Sequence, residues 1–310
     1  MPHPLAAPLA WVSLSALNGV GPVKGLALAR AWLEQGGARP PRLSHERWAE
    51  ARRLGERRLL SCERAGVQAL SYACEAYPPL LRLIDGAPLV IYSRGALPQL
   101  RPQLACVGTR SPSEWGLGCA REVAAVAAAL GFGLCSGLAL GIDAAAHEAS
   151  LDAGGATWAL LGSGHQQLSP PRHRGLAERL IAEGGGLLSE YPPDAPLHPG
   201  QLVARDRLQS GLSLATFVVE SDRDGGALYA ARAALRQGRA LFVPVSPAER
   251  AAHPKHRGLR LLEAEGARRV ASPQQLASAL QAQRASLEAL ERESAERLKG
   301  LWEPRQERLI

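Results

Sequence analysis

No stretch of this 310-residue chain approaches the roughly 20 consecutive apolar residues that a helix needs to cross a bilayer. The opening segment, MPHPLAAPLAWVSLSALNG, lacks the charged leader and long apolar core of a secretory signal. These absences predict a soluble, cytoplasmic protein with no membrane partner. Cysteine is sparse. Cys62, Cys74, Cys106, Cys119 and Cys135 are odd in number and form no CxxC pair, which disfavours a disulfide framework and a zinc site alike. They read as small buried hydrophobes in a reducing compartment. Lysine is nearly missing, at Lys24, Lys255 and Lys299 only, so the net charge of +7 is carried almost entirely by arginine. A basic surface favours polyanions, and arginine offers a planar fork for phosphate and a flat face for bases. Genome composition is a second source of such a bias. There is no Walker lysine motif, no Gly-x-Ser-x-Gly elbow and no Cys/His pairing that suggests a nucleophile.

What is present is a globular chain, 46% hydrophobic. Residues 10–75 read as short helices, with Trp11, Leu14, Leu17, Leu26, Leu28 and Trp32 at roughly helical spacing. Between them the run Leu17-Asn18-Gly19-Val20-Gly21-Pro22 fits a helix-hairpin-helix whose amides hold a phosphate, or equally a plain corner between two helices. An arginine-rich helix follows near 45–66. Residues 77–95 read as a connector ending in a strand near 88–92.

From residue 104 apolar strands alternate with alanine-rich helices. The strands are Leu104–Val107, Phe132–Cys135, Thr157–Leu161, Gly186–Ser189, Ala215–Val219 and Ala240–Val245; the helices are 117–130, 142–152, 173–183 and 226–237. Continuous apolar strands separated by helices predict an α/β fold, a mostly parallel sheet covered on both faces. In such sheets ligands bind beyond the carboxyl ends of the strands. Residues 273–310 read as a helical tail with no hairpin that could form the wing of a winged helix.

The loops after the strands carry the chemistry. Gly108, Thr109 and Arg110 follow the first, ahead of a helix whose free amides suit an anion. Ser111 and Ser113 either meet that ligand or cap the helix, and Trp115 either stacks on a base or packs against the helix. Ser136, Gly137 and Gly141 follow the second strand. Asp143 and His147 beyond them share a helix face, as a metal pair would, but no third ligand is spaced to join them. Asp143 reads as a first-turn acid favoured by the helix dipole, and no metal is expected. Arg172 and Arg174 stand at a helix start, where cations oppose the dipole, which suggests an external anion. Arg205 and Arg207 flank Asp206 ahead of the fifth strand, open either to a ligand or to a local salt bridge.

Taken in order, these loops resemble the DNA-processing protein A family (DprA, also called Smf). The carrying motifs are YPPLLRLIDGAPLVIYSRG, VGTRSPSEWG, CSGLALGIDAAAHEASL, LLGSGHQQLSPPRHRGLAERL, LLSEYPPDAPLHPGQLVARDRLQSGLS and ALYAARAALRQGR followed by VPV. The resemblance runs from Tyr77 to about Leu280. It implies a helix-hairpin-helix or SAM-like domain over 1–75, an extended Rossmann-like DNA-binding domain over 76–272 and a helical tail over 273–310. It implies a homodimer that binds single-stranded DNA without strong sequence preference. Such a protein loads the RecA recombinase in transformation and recombination, displacing single-strand-binding protein, and has neither catalysis nor cofactor of its own. By position it assigns DNA contact to Arg110, Arg174, Arg205 and Arg207. The residues expected at the DNA are therefore Gly108, Thr109, Arg110, Trp115, Ser136, Gly137, Gly141, Arg172, Arg174, Arg205 and Arg207.

Three departures stand out. Asp206 occupies the place of an Asn in the family's Arg-Asn-Arg, and Gln209 that of an Ile. The family's Ser-Gly-Ser-x-x-Thr-Ala is here Gly225-Gly226-Ala227-Leu228-Tyr229-Ala230-Ala231, without the Ser and Thr hydroxyls, so a small nucleotide phosphate is held less well there. Residues 273–310 lack the winged helix of many members. The alternative reading is a nucleotide-binding protein or phosphoribohydrolase on the same superfold. Those enzymes carry Pro-Gly-Gly-x-Gly-Thr-x-x-Glu, and Asp224-Gly225-Gly226-Ala227-Leu228 has neither the Thr nor the Glu.

Overall fold

The computed structural model describes residues 6–98, 101–198, 200–246 and 253–302. Three helices open the chain: α1 (Pro8–Ser15), α2 (Pro22–Gln35) and α3 (His45–Ala65). Ser44 caps α3 by accepting from the Arg47 amide, and Gly66 ends it in the left-handed conformation at φ 62° that a side chain disfavours. Trp32 meets Trp48 edge-on at 5.2 Å, and Trp11 stacks on Tyr72. These rings belong to one hydrophobic cluster that continues through Trp158, Leu160 and Leu188 of the sheet. The helices are therefore seated on the sheet rather than tethered to it.

The sheet has nine strands: β1 (Gln68–Ser71), β2 (Val90–Gly95), β3 (Gln103–Val107), β4 (Gly133–Ser136), β5 (Thr157–Leu161), β6 (Gly186–Ser189), β7 (Ala215–Val218), β8 (Ala240–Pro244) and β9 (Arg268–Val270). Their order is β1-β2-β6-β5-β4-β3-β7-β8-β9. From β6 to β9 every pairing is parallel; β1 and β2 join antiparallel at one edge. The predicted α/β architecture is thus observed, with two strands that periodicity did not reveal. β1 and β9 are short and partly exposed, and Arg268 and Arg269 interrupt any apolar run. β1 falls within the 1–75 segment expected to be helical.

The connecting helices are α4 (Pro79–Arg82), α5 (Glu114–Ala129), α6 (Ile142–Asp152), α7 (Arg174–Ala182), α8 (Gln201–Gly211), α9 (Ala227–Arg236) and α10 (Arg257–Ala264). α5 and α6 pack closely because alanines such as Ala120, Ala124, Ala145 and Ala146 let their backbones approach. α8 occupies a segment whose apolar pattern does not mark it as a helix. Its first two turns expose Val203 and Ala204 and turn the polar Arg205 inward, which gives little apolar rhythm.

Two helices end the described chain, α11 (Pro273–Arg284) and α12 (Leu287–Trp302). α12 packs on α4. Arg82, only 3% exposed, ties this junction together. Its guanidinium donates to Ser294 Oγ at 2.9 Å, to the Tyr72 carbonyl at 3.2 Å and to the Cys74 carbonyl at 2.8 Å, and it lies against the Tyr72 and Tyr77 rings. The expected helical tail is therefore folded back onto the connector as far as Trp302; its remainder lies outside the described residues.

Candidate functional site

The chain runs outward from β3 in one direction through β4, β5 and β6, then returns to lay β7 on the other side of β3. At that reversal the loops after β3 and β7 diverge and leave a crevice beyond the strand ends. The crevice is a cleft of about 520 Å³. Gly108, Thr109 and Arg110 form one wall and the Ser221–Ala227 loop the other, while Leu202, Val203, Arg205, Asp206 and Gln209 of α8 close it.

Close backbone approach shapes the first wall. A Cβ on Gly108 would sit 2.6 Å from Ile142 Cγ1. Gly141 has φ 79°, and a Cβ there would meet the Thr109 carbonyl at 2.5 Å and Pro112 at 2.7 Å. The loop is held by Thr109 N donating to the Glu220 carbonyl at 2.8 Å and Ile142 N to the Thr109 carbonyl at 3.2 Å. Ser113 caps α5 by accepting from the Gly116 amide, and it donates its own hydroxyl to Glu220 Oε1 at 2.6 Å. Glu220 is fully buried and also receives the Ser113 amide. Sequence reasoning missed this anchor, since a lone acid at a strand end carries no periodic signal.

Arg110 is exposed at the mouth of the cleft. Arg205 is the opposite case. It is 3% exposed and donates to the Leu160 carbonyl, with its guanidinium packed where a Cβ on Gly137 would be. Its Nε stands 3.2 Å from Asp206 Oδ1, an ion pair whose angle does not make a hydrogen bond. Asp143 accepts from the amides of Gly137 at 3.0 Å and Ala139 at 3.3 Å. Burial raises the Asp143 carboxyl above its ordinary value, opposed by nearby Arg205. Ser136 is buried too, its hydroxyl given to the Cys106 carbonyl at 2.6 Å. Arg205 and Asp143 thus line the cleft, Ser136 and Gly137 are buried and do not, and Arg110 faces solvent.

The other expected residues lie elsewhere. Arg207 points away from the cleft, to Glu190 at 2.6 Å and the Gly86 carbonyl at 3.0 Å. Arg172 and Arg174 are exposed beyond β5, two strands from β3. Trp115 is in the first turn of α5, its ring 4.9 Å from that of the buried His256, so it packs within the protein rather than lining the cleft. Asp143 and His147 are not a working pair. His147 is wholly buried, its Nδ1 2.7 Å from Thr157 Oγ1, and burial drives its pKa down to about 3.

Asp206 gives the cleft a pH dependence. Burial raises its carboxyl to about 6; Arg205 and Arg110 oppose the shift and Asp143 reinforces it. A carboxylate whose folded pKa is raised favours the fold below its unfolded value and loses that contribution as pH climbs through about 6. A phosphate bound near Arg110 would raise the pKa further, so binding takes up a proton. Affinity for an anionic polymer is expected to rise, by up to about tenfold, as pH falls from about 7.5 to about 5.5. Asp206→Asn should bind more tightly at neutral pH and show a flat profile. Fluorescence anisotropy across that range measures both, and an unchanged slope in Asp206→Asn would remove Asp206 as the cause.

Residues 68–281 match the family model described as DNA recombination-mediator protein A. Protein Smf of Escherichia coli strain K12 is 38% identical over 208 residues, which are 67% of this chain and 55% of the relative. The chain thus spans little more than half of that protein. Protein Smf of Synechocystis is 35% identical over 294 residues, 87% of this chain and 72% of the relative. Among solved structures, DNA processing protein A from Streptococcus pneumoniae superposes with a TM-score of 0.72 at 26% identity, covering 88% of this chain and 97% of that one. DNA processing protein A from Helicobacter pylori, described for its single-stranded DNA binding mode, gives 0.61 at 26% identity, covering 69% and 95%.

Proposed function

Since the chain belongs to the DNA recombination-mediator protein A family, we propose that it binds single-stranded DNA in the cleft between β3 and β7 and acts in DNA recombination as a loader of RecA. The observation that carries this reading is the exposed Arg110 on a glycine-bounded loop that lines the cleft, at the place where the strand order reverses. Arg205 is balanced by Asp143 and Asp206, so Arg110 is the cation of the cleft offered to a phosphate. Arg172 and Arg174 lie at the same end of the sheet and would guide the strand as it leaves. A relative from Helicobacter pylori is described as binding single-stranded DNA, which supports the same ligand here.

The protein works as a homodimer in this reading, with single-strand-binding protein as the competitor that it displaces. It performs no chemistry of its own. Asp143 is committed to backbone amides and His147 to Thr157, so neither is placed to serve as base or nucleophile.

A single-stranded oligonucleotide should bind at nanomolar to micromolar concentration, and blunt duplex clearly more weakly. A flexible backbone can enter a cleft of this size, whereas a duplex cannot bend its phosphates inward. The logarithm of affinity should fall linearly with the logarithm of salt, at roughly 0.7 per phosphate contacted. Anisotropy titrations at several salt concentrations test this. Equal affinity for the two forms of DNA, or no salt dependence, would contradict it, and stronger binding of a mononucleotide would favour the nucleotide-binding alternative.

A further inference from the structure

Five large apolar side chains are substantially exposed among the described residues, and two of them, Val203 and Tyr229, belong to the helices α8 and α9 that supply cleft-lining residues. Val203 is 42% exposed on α8 and lines the cleft itself. Tyr229 is 51% exposed in the first turn of α9. Gly226, Ala227 and Ala230 of that turn line the cleft. At about 100° per residue, Tyr229 lies between the directions of Gly226 and the outer surface, one step from Ala230. The buried face of α9 is made of Leu228, Ala230, Ala231, Ala233 and Ala234, so Tyr229 is not needed by the core. α8 and α9 pack against each other, and Tyr229 stands one turn after the cleft-lining Gly226.

We infer that Tyr229, with Val203 beside the cleft mouth, is a stacking platform for a base of the strand whose phosphate meets Arg110. This rests on the reading of the cleft given above and adds a contact to bases rather than phosphates. A phosphate anchored at the cleft leaves its neighbouring bases outside, in water, where an unstacked base and an exposed aromatic ring each leave apolar surface wet. Placing the two together removes both surfaces at once, and it is tolerant of sequence because every base has a flat face. The loop that leads into α9 has no hydroxyls in Gly225-Gly226-Ala227, so Tyr229 is the residue of that segment best suited to hold a nucleotide.

The test uses two polymers on the full chain: a thymidine oligonucleotide, and one of equal length made of abasic sugar-phosphates. Tyr229→Ala should weaken binding of the first about five- to hundredfold and leave the second unchanged. Tyr229→Phe should bind as the parent does. Tyr229→Trp should gain an emission that the oligothymidine quenches and the abasic polymer does not. Because the side chain is exposed, thermal melting of each variant should match the parent. Equal loss for both polymers, or loss for neither, would overturn the inference. A lower native mass for Tyr229→Ala would overturn it too, by assigning the ring to a contact between copies. Arg110→Ala run beside it should weaken both polymers; full affinity there would instead defeat the reading of the cleft on which the platform rests.

Discussion

Arg110→Ala is expected to lose about 1–3 kcal/mol of single-stranded DNA affinity, roughly five- to 150-fold, while its melting temperature stays close to that of the parent. The two halves of the expectation come from one fact. Arg110 is exposed, so the fold does not depend on its guanidinium. The surrounding wall is rigid nonetheless, because Gly108 and Gly141 are pressed against Ile142, Thr109 and Pro112. A charge-assisted bond from a held loop to a phosphate loses little freedom on binding, and its removal is felt almost wholly in the complex. Titration at fixed salt with a melting curve on the same preparation gives both numbers. Parental affinity in a folded Arg110→Ala protein would mean that the DNA lies elsewhere.

Arg205→Ala should behave in the reverse way, losing the fold first. Its side chain is 4% exposed and stands between the carboxylates of Asp143 and Asp206. Deleting one member of a buried charge cluster leaves the others without compensation and typically costs about 3–5 kcal/mol. The melting temperature should drop on the order of 10 °C. The variant should recover stability on acidification. Burial raises both carboxyls, so their contribution is present at low pH and is lost as pH rises through their folded values. A parental melting temperature, or a variant that weakens further as pH falls toward about 5, would contradict the view of Arg205 as part of the cleft lining.

That contrast also shows what was legible in the sequence. The buried parallel strands were, because runs such as Thr157–Leu161 are apolar throughout and parallel strands have both faces covered. The loops after them followed, since ligands gather at those ends. Which arginine faces out was not legible. Arg110, Arg205 and Arg207 have the same chemistry in the sequence, and only the turn of α8 separates Arg205, directed at the Leu160 carbonyl, from Arg207, directed at Glu190. α8 itself escaped notice, which hid the cleft's third wall. Trp115 was ambiguous for a related reason: its partner His256 lies 141 positions away in sequence and no local pattern announces it. The buried Glu220 and the half-buried Asp206 acquire their roles only from burial and from the groups the fold packs around them.

Light-induced cross-linking of a halogenated single-stranded oligonucleotide, with the attached peptides identified by mass spectrometry, tests the placement of DNA most directly. The account predicts attachment to the loop after β3 around Gly108–Arg110, to the start of α8 around Val203, and to the first turn of α9 at Tyr229, all lost together in Arg110→Ala. Attachment confined to the N-terminal helices or to the α11–α12 tail, unchanged in Arg110→Ala, would contradict it.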